Sequence, residues 1–165
     1  MRLLTVLTCV LVLAAPIPAQ NSPGSSNKAE VTFYSLPVSL LGGLSKSDPG
    51  AFKGRLFDGD HQLAFMEPAR FITFAMDPGA HIFSAASWIT EQPNPGAHVT
   101  MNLVPGHHYF VETGHWAGGY LFLIRDIPCV VAQHHNTHSK PLEAAHLRPD
   151  GIPIAVYETS FPACS

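Results

Sequence analysis

The most regular feature of the chain is a series of short segments in which apolar and polar residues alternate, separated by glycine, proline and aspartate. Successive side chains of a β-strand point to opposite faces, so a period of two predicts strands. The segments with this character are 29–36, 52–57, 61–66, 70–76, 80–87, 98–103, 108–113, 120–127 and 152–158. Residues 129–132 continue the 120–127 strand or begin another. Residues 70–76 are apolar on both faces, which predicts a central strand.

The dipeptide Pro-Gly, followed by one residue and then by His or Phe, punctuates these segments. The copies are 49–52, 78–81, 95–98 and 105–108. Proline presets φ for the first central position of a turn, and glycine provides the positive φ that a type II turn needs at the second. The pattern therefore predicts chain reversals in a meander of antiparallel strands, with Asp58-Gly59 as a further hairpin turn.

These elements predict an all-β fold, an antiparallel β-sandwich of about seven to nine strands. One short helix is expected at residues 140–147, where Leu142, Ala145 and His146 share a face and Pro141 suits the first turn. The expected core consists of Val31, Phe33, Phe57, Phe71, Ile72, Phe74, Ile82, Phe83, Val99, Leu103, Tyr109, Val111, Leu121 and Leu123.

Residues 1–19 have the composition of a secretory signal peptide. Arg2 gives a positive start, residues 3–15 are apolar, and cleavage is expected after Ala19; the alternative is an uncleaved membrane anchor. Residues 20–28 are polar and serine-rich, which predicts a flexible linker, and residues 29–165 form one domain. No later stretch is long and apolar enough to span a bilayer. We therefore expect a secreted or periplasmic protein.

Charge excludes one class of partner. Cleavage removes one of the nine Lys and Arg residues, and the eight that remain face twelve Asp and Glu. A net charge of about −4 leaves no basic face for nucleic acid. The two cysteines left after cleavage, Cys129 and Cys164, are expected to form a disulfide in an oxidising compartment; two buried thiols are the alternative.

Ten histidines are unusual in a chain of this length. If strand directions alternate, the turns at Pro78 and Pro105 lie at one end of the sheet, so His81, His107 and His108 are candidate Cu²⁺ or Zn²⁺ ligands. His98 belongs at the opposite end. The alternative is that each histidine covers the sheet edge and bonds a loop carbonyl.

A second cluster comprises His134, His135 and His138. Its i, i+4 spacing would place two imidazoles on one helix face, and a flexible loop would also bind Cu²⁺ or Zn²⁺ loosely. Asn136, Thr137 and Ser139 oppose a helix there, so the alternative is a solvated polar loop. Trp88 and Trp116 are candidate contact aromatics for a protein or glycan, or else core residues.

A family resemblance covers residues 29–127. The runs 56–59 (LFDG), 69–74 (ARFITF), 78–81 (PGAH) and 103–111 (LVPGHHYFV) resemble the DUF2846 group of bacterial envelope proteins, and PEGA-type and transthyretin-like modules share the pattern. The resemblance implies a small transthyretin- or immunoglobulin-like sandwich at the cell envelope, with no established chemistry. The loop 37–50, the histidine-rich stretch 133–139 and the cysteine-tied tail depart from the family pattern.

These observations predict a non-enzymatic binding or scaffolding module with no catalytic or cofactor-binding residues, whose partner is an envelope protein or a glycan. A periplasmic Cu or Zn protein is the alternative. A hydrolase ranks third, because the chain has no Gly-x-Ser-x-Gly nucleophile elbow and no phosphate-binding loop.

Overall fold

A computed structural model describes residues 27–37, 50–115, 122–136, 138–147, 154–156 and 158–164. The expected signal peptide, most of the linker, Trp116 and Leu121 lie outside these residues. The elements in chain order are β1 (Ala29–Ser35), β2 (Gly50–Ala51), β3 (Gly54–Asp58), β4 (His61–Met66), β5 (Arg70–Met76), β6 (Gly79–Ser87), β7 (His98–Leu103), β8 (His108–His115), β9 (Phe122–Asp126), α1 (Cys129–His135), β10 (Lys140–Pro141), a 3-10 helix (Ala144–His146) and β11 (Ile154–Val156).

The strands form two sheets. Sheet A has the order β10-β5-β1-β8-β2, with β11 also paired to β5 and β9 to β8, and sheet B has the order β4-β3-β6-β7. The protein is therefore mostly β, as the alternation predicted. None of the helices in the described residues is long and apolar enough to cross a membrane.

Sheet A is mixed rather than purely antiparallel, which corrects the prediction. β1 pairs in parallel with β8, from Glu30↔His108 to Ser35↔Thr113, and antiparallel with β5. The reason is that the chain leaves sheet A twice, after β2 and after β5, and builds the four strands of sheet B before it reaches β8. β8 therefore returns beside β1 in the same direction.

The Pro-Gly turns explain this path. At Pro105-Gly106 the His107 N–H donates to the Val104 carbonyl oxygen at 3.2 Å and Gly106 has φ +74°, as a type II turn requires. This turn and the one at Pro78-Gly79 join strands of different sheets. The meander prediction is wrong at these two places, because the turns are corners between sheets rather than hairpins.

One core joins the two sheets. Its buried members come from both, and Phe33 of β1 packs edge-on against Phe83 of β6 with ring centroids 5.0 Å apart. The predicted residues Val31, Phe33, Phe57, Phe71, Ile72, Phe74, Phe83, Leu103 and Val111 are buried. Val99 and Tyr109 are partly buried against the core. Ile82 is wrong, because its side chain is 52% exposed.

Within the predicted helix at 140–147, only Ala144–His146 is helical, and it forms a 3-10 helix. Residues 140–147 begin with β10, which pairs with the start of β5, and the Leu142 N–H donates to the Phe71 carbonyl oxygen at 2.7 Å. The α-helix instead spans Cys129–His135 and begins after Pro128, whose carbonyl oxygen accepts from the N–H groups of Val131 and Ala132. In residues 140–147, pairing with the edge of sheet A outweighs the intrinsic preference for a helix. In Cys129–His135, the preceding proline outweighs the intrinsic preference for a strand.

Candidate functional site

The histidines that follow Pro-Gly are held individually by nearby acceptors. His81 contacts the Asp58 carboxylate through Nδ1 at 2.7 Å and the Asp77 carbonyl oxygen through Nε2 at 2.9 Å. His98 Nδ1 lies 2.9 Å from the Pro95 carbonyl oxygen, and His107 Nδ1 lies 3.2 Å from that of Pro105. His81 is on sheet B whereas His108 is on sheet A. The imidazoles of His81, His98 and His107 thus each bond a loop carbonyl oxygen, as expected if these histidines cover the edge of a sheet.

The second histidine cluster is divided by the end of α1. Asn136 terminates the helix, and its side-chain amide donates to the Ala132 carbonyl oxygen at 2.7 Å. His134 is exposed on the last turn and His138 lies beyond the helix. Across the described residues, no group of three or more His, Cys, Asp or Glu side chains could hold a metal ion. Loose chelation by His134, His135 and His138 stays a prediction, because Thr137 lies outside those residues.

His135 instead meets a buried carboxylate on the outer face of sheet A, the face turned away from sheet B. Glu112 of β8 is 0% exposed, and its Oε2 lies 2.9 Å from His135 Nδ1 and 3.1 Å from the Tyr34 hydroxyl. A buried carboxylate needs such partners to offset its lost hydration. This cluster ties α1 to sheet A. No local sequence signal identifies it, because its three side chains come from β1, β8 and α1.

A second polar network occupies the other end of the same face. Thr73 Oγ1 donates to Glu158 Oε2 at 2.8 Å, so its only proton is committed. Thr32 Oγ1, 2.7 Å away, must therefore donate to Thr73. His108 Nε2, 2.7 Å from Thr32 Oγ1, then donates to Thr32, while Glu30 Oε2 lies 3.4 Å from His108 Nδ1.

This network does not have the properties of a nucleophile and its base. A general base must accept the proton of the hydroxyl, whereas His108 donates to Thr32, and Thr32 is 0% exposed. Burial lowers the pKa of His108, and the neighbouring Glu30 carboxylate only partly opposes this. Burial raises the pKa of Glu158. The role of the network is instead structural: its hydrogen bond from Thr73 to Glu158 joins the segment after β11 to sheet A.

The lowered pKa of His108 makes stability depend on pH. Below its ordinary value of 6.5 the unfolded chain binds a proton that the folded protein resists, so the free energy of unfolding falls as pH drops. We expect denaturant titrations at about pH 7 and about pH 5 to show this loss, and His108→Gln, which keeps a donor for Thr32, to lose less between the two pH values. An equal loss in both proteins would contradict the assignment.

Between the two polar clusters lies a smaller aromatic core. The ring of Phe161 packs against Tyr34, Phe71 and Phe110, with centroid distances of 5.6, 5.3 and 5.7 Å. Ile127 and Ala132 complete this core. The Cys129–Cys164 disulfide, with Cα atoms 5.7 Å apart, holds the tail across it and confirms the predicted pairing.

Two large apolar side chains are exposed in the loop that joins two strands of sheet B. In the loop between β6 and β7, Trp88 is 59% and Ile89 71% exposed. The same loop lines a groove of about 640 Å³, hereafter the Glu91 groove. Its lining residues are Asp60, Glu91, Gln92, Pro93 and Pro95. Trp88 is thus a surface residue, and its predicted role as a contact aromatic stays open to test.

Internal bonds fix the shape of this loop. The Thr90 N–H donates to the Ser87 carbonyl oxygen at 3.2 Å, and the Ala97 N–H to that of Asn94 at 3.0 Å. Arg55 Nη1 of β3 lies 3.9 Å from Glu91 Oε1. A loop held in this way loses little conformational entropy when it binds a partner.

Comparisons with protein-family models, curated proteins and solved structures find no match for the chain.

Proposed function

We propose that this protein is a non-enzymatic binding module of the bacterial envelope, secreted or periplasmic, whose contact surface is the loop that carries Trp88. The observation that carries the proposal is the exposure of Trp88 and Ile89 on the same loop as Glu91, which lines the Glu91 groove. Tryptophan is the residue type most enriched at binding hot spots. Apolar side chains of this size on a braced loop are typical of a contact surface rather than of a core.

The partner class follows from the lining of the groove. Asp60, Glu91 and Gln92 provide acceptors and an amide, and Trp88 provides a flat apolar face. Sugar hydroxyls or the backbone of a protein would satisfy these groups, so an envelope glycan or envelope protein fits. Two sheets that share one core are consistent with a transthyretin- or immunoglobulin-like sandwich of the DUF2846 type, and the disulfide suits an oxidising compartment.

The direct test measures binding at Trp88. We expect the protein to sediment with purified peptidoglycan sacculi, or a benzophenone side chain at position 89 to cross-link one envelope protein in intact cells. Trp88→Ala should weaken the interaction by about thirtyfold or more, because a hot-spot truncation costs at least about 2 kcal/mol.

Val104→Ala is the matched control, since Val104 is an exposed apolar residue outside the loop, and it should bind like the wild type. Equal binding by Trp88→Ala and wild type, or neither sedimentation nor cross-linking, would refute the proposed surface.

A further inference from the structure

The aromatic core on the outer face of sheet A has an unusual composition, because its central ring belongs to the C-terminal tail. Tyr34, Phe71 and Phe110 come from three adjacent strands, β1, β5 and β8, and surround Phe161. We call the space that this ring fills the Phe161 pocket. The sheet provides the walls of the pocket and the tail provides its content.

Two hydrogen bonds and a disulfide join the described tail residues 158–164 to the rest of the fold. Glu158 accepts from Thr73, and the Pro162 carbonyl oxygen accepts from Gln133 Nε2 at 3.1 Å. Cys164, which is exposed, is joined to Cys129 at the start of α1. The segment that carries Phe161 is therefore fixed at one end by a hydrogen bond and at the other by a disulfide.

A groove leads to the pocket from the surface. It has a volume of about 380 Å³ and lies between the end of α1 and the tail. Its lining residues are Gln133, Asn136, Ser139, Thr159, Ser160 and Phe161. Polar side chains thus flank the aromatic ring, in the way that a peptide groove flanks an anchor pocket.

We propose that the Phe161 pocket is a binding site for an aromatic side chain of a partner peptide, closed by the protein's own tail and opened by reduction of the Cys129–Cys164 disulfide. The tail itself indicates the chemistry of the ligand: an aromatic anchor preceded by small hydroxyl residues, as in Thr159-Ser160-Phe161. This site is distinct from the Trp88 loop, so it stands or falls independently of the proposed function.

The opening step is thiol–disulfide exchange with a dithiol reductant. One thiolate of the reductant attacks the exposed Cys164 sulfur, the bond to Cys129 breaks, and Cys129 leaves as a thiolate that takes up a proton. The second thiol of the reductant displaces Cys164 as a thiol. The reductant is oxidised to its disulfide and supplies the two electrons.

Tethering explains how the Cys129–Cys164 disulfide controls access of a peptide to the Phe161 pocket. With both ends fixed, Phe161 faces its pocket at an effective concentration of the order of millimolar or higher, so a peptide in solution competes poorly. Reduction leaves the segment held by the hydrogen bonds at Glu158 and Pro162 and by the packing of Phe161, without the covalent closure at Cys164. A segment that a disulfide no longer closes into a loop opens more readily than the closed loop, which exposes the pocket to a peptide.

The test uses a fluorescein-labelled peptide with the sequence of residues 158–163 and a matched peptide with alanine in place of phenylalanine. Fluorescence anisotropy should show binding of the first peptide to dithiothreitol-reduced protein at least about tenfold tighter than to oxidised protein. The alanine peptide should bind neither form, and Trp88→Ala should leave peptide binding unchanged. Equal binding to oxidised and reduced protein, or equal binding of the two peptides, would overturn the proposal.

A second measurement tests the pocket without reducing the disulfide, so that a loss of structure on reduction does not affect the result. Phe161→Ala empties the pocket while the disulfide stays closed. Titration with N-acetyl-phenylalaninamide should then shift the NMR signals of Tyr34 and Phe110 in this variant and leave the wild type unchanged. Unchanged spectra of a folded Phe161→Ala protein would also refute the site.

Discussion

Replacing Phe33 with alanine is expected to lower the free energy of unfolding by about 3–5 kcal/mol, the range for a fully buried phenylalanine whose cavity stays open. Phe33 is 0% exposed. Its ring makes edge-on contacts with Phe74 of the same sheet and Phe83 of the other, with centroids 6.1 and 5.0 Å apart. The substitution therefore removes an aromatic link between the sheets, and its partners on β5 and β6 cannot both move to fill the space.

Urea unfolding followed by circular dichroism measures this loss. Ile82→Ala is the matched control, because it removes an apolar side chain that projects from β6 into solvent, and it should change the free energy of unfolding by less than about 0.5 kcal/mol. A loss below about 1 kcal/mol for Phe33→Ala, or comparable losses for the two variants, would contradict the described core.

Ile82 and its neighbour Phe83 show how much can be predicted from the alternation of apolar and polar residues. Ile82 and Phe83 are adjacent, so a strand must point them to opposite faces. The apolar character of both did not reveal which one faces sheet A. The residues opposite decide it: Phe83 pairs with Val99 and packs on Phe33, whereas Ile82 pairs with Thr100 on the outer face.

Pairing between distant segments was beyond the reach of the sequence for a related reason. Segment boundaries such as 61–66, 70–76 and 98–103 follow from local pattern and agree with the structure. The parallel partnership of β1 with β8 depends on contacts between residues more than seventy positions apart, which local pattern does not encode. The same holds for α1, whose two valines favour a strand until Pro128 and the packing of Ala132 select a helix.

The candidate sites show the same difference between local sequence information and contacts among distant segments. Trp88 was a candidate from the sequence by residue type, with a core position as the alternative, and the structure places it on the surface. The cluster of Tyr34, Glu112 and His135 could not be identified from the sequence, because its members come from β1, β8 and α1. For the histidines, residue type suggested metal binding, whereas each described imidazole at a Pro-Gly turn has its own hydrogen-bond partner.

Removing the disulfide with Cys129→Ser and Cys164→Ser is expected to lower the free energy of unfolding by about 3–4 kcal/mol, as the chain-entropy model gives for a loop of this size. The bond joins residues separated by 35 positions and so restricts the unfolded chain. It also holds Phe161 on the aromatic core, a contact that the variant loses in part.

The main core predicts that this loss leaves the protein folded. Its buried members lie outside the tail, so the two sheets keep their shared interior while the tail opens. Urea unfolding of oxidised wild type, reduced wild type and the double variant should give one high midpoint and two equal lower ones, and dithiothreitol should not affect the variant. An unchanged midpoint on reduction would show that the closed loop contributes nothing. Loss of the far-UV spectrum without urea would show that the sheets depend on the tail.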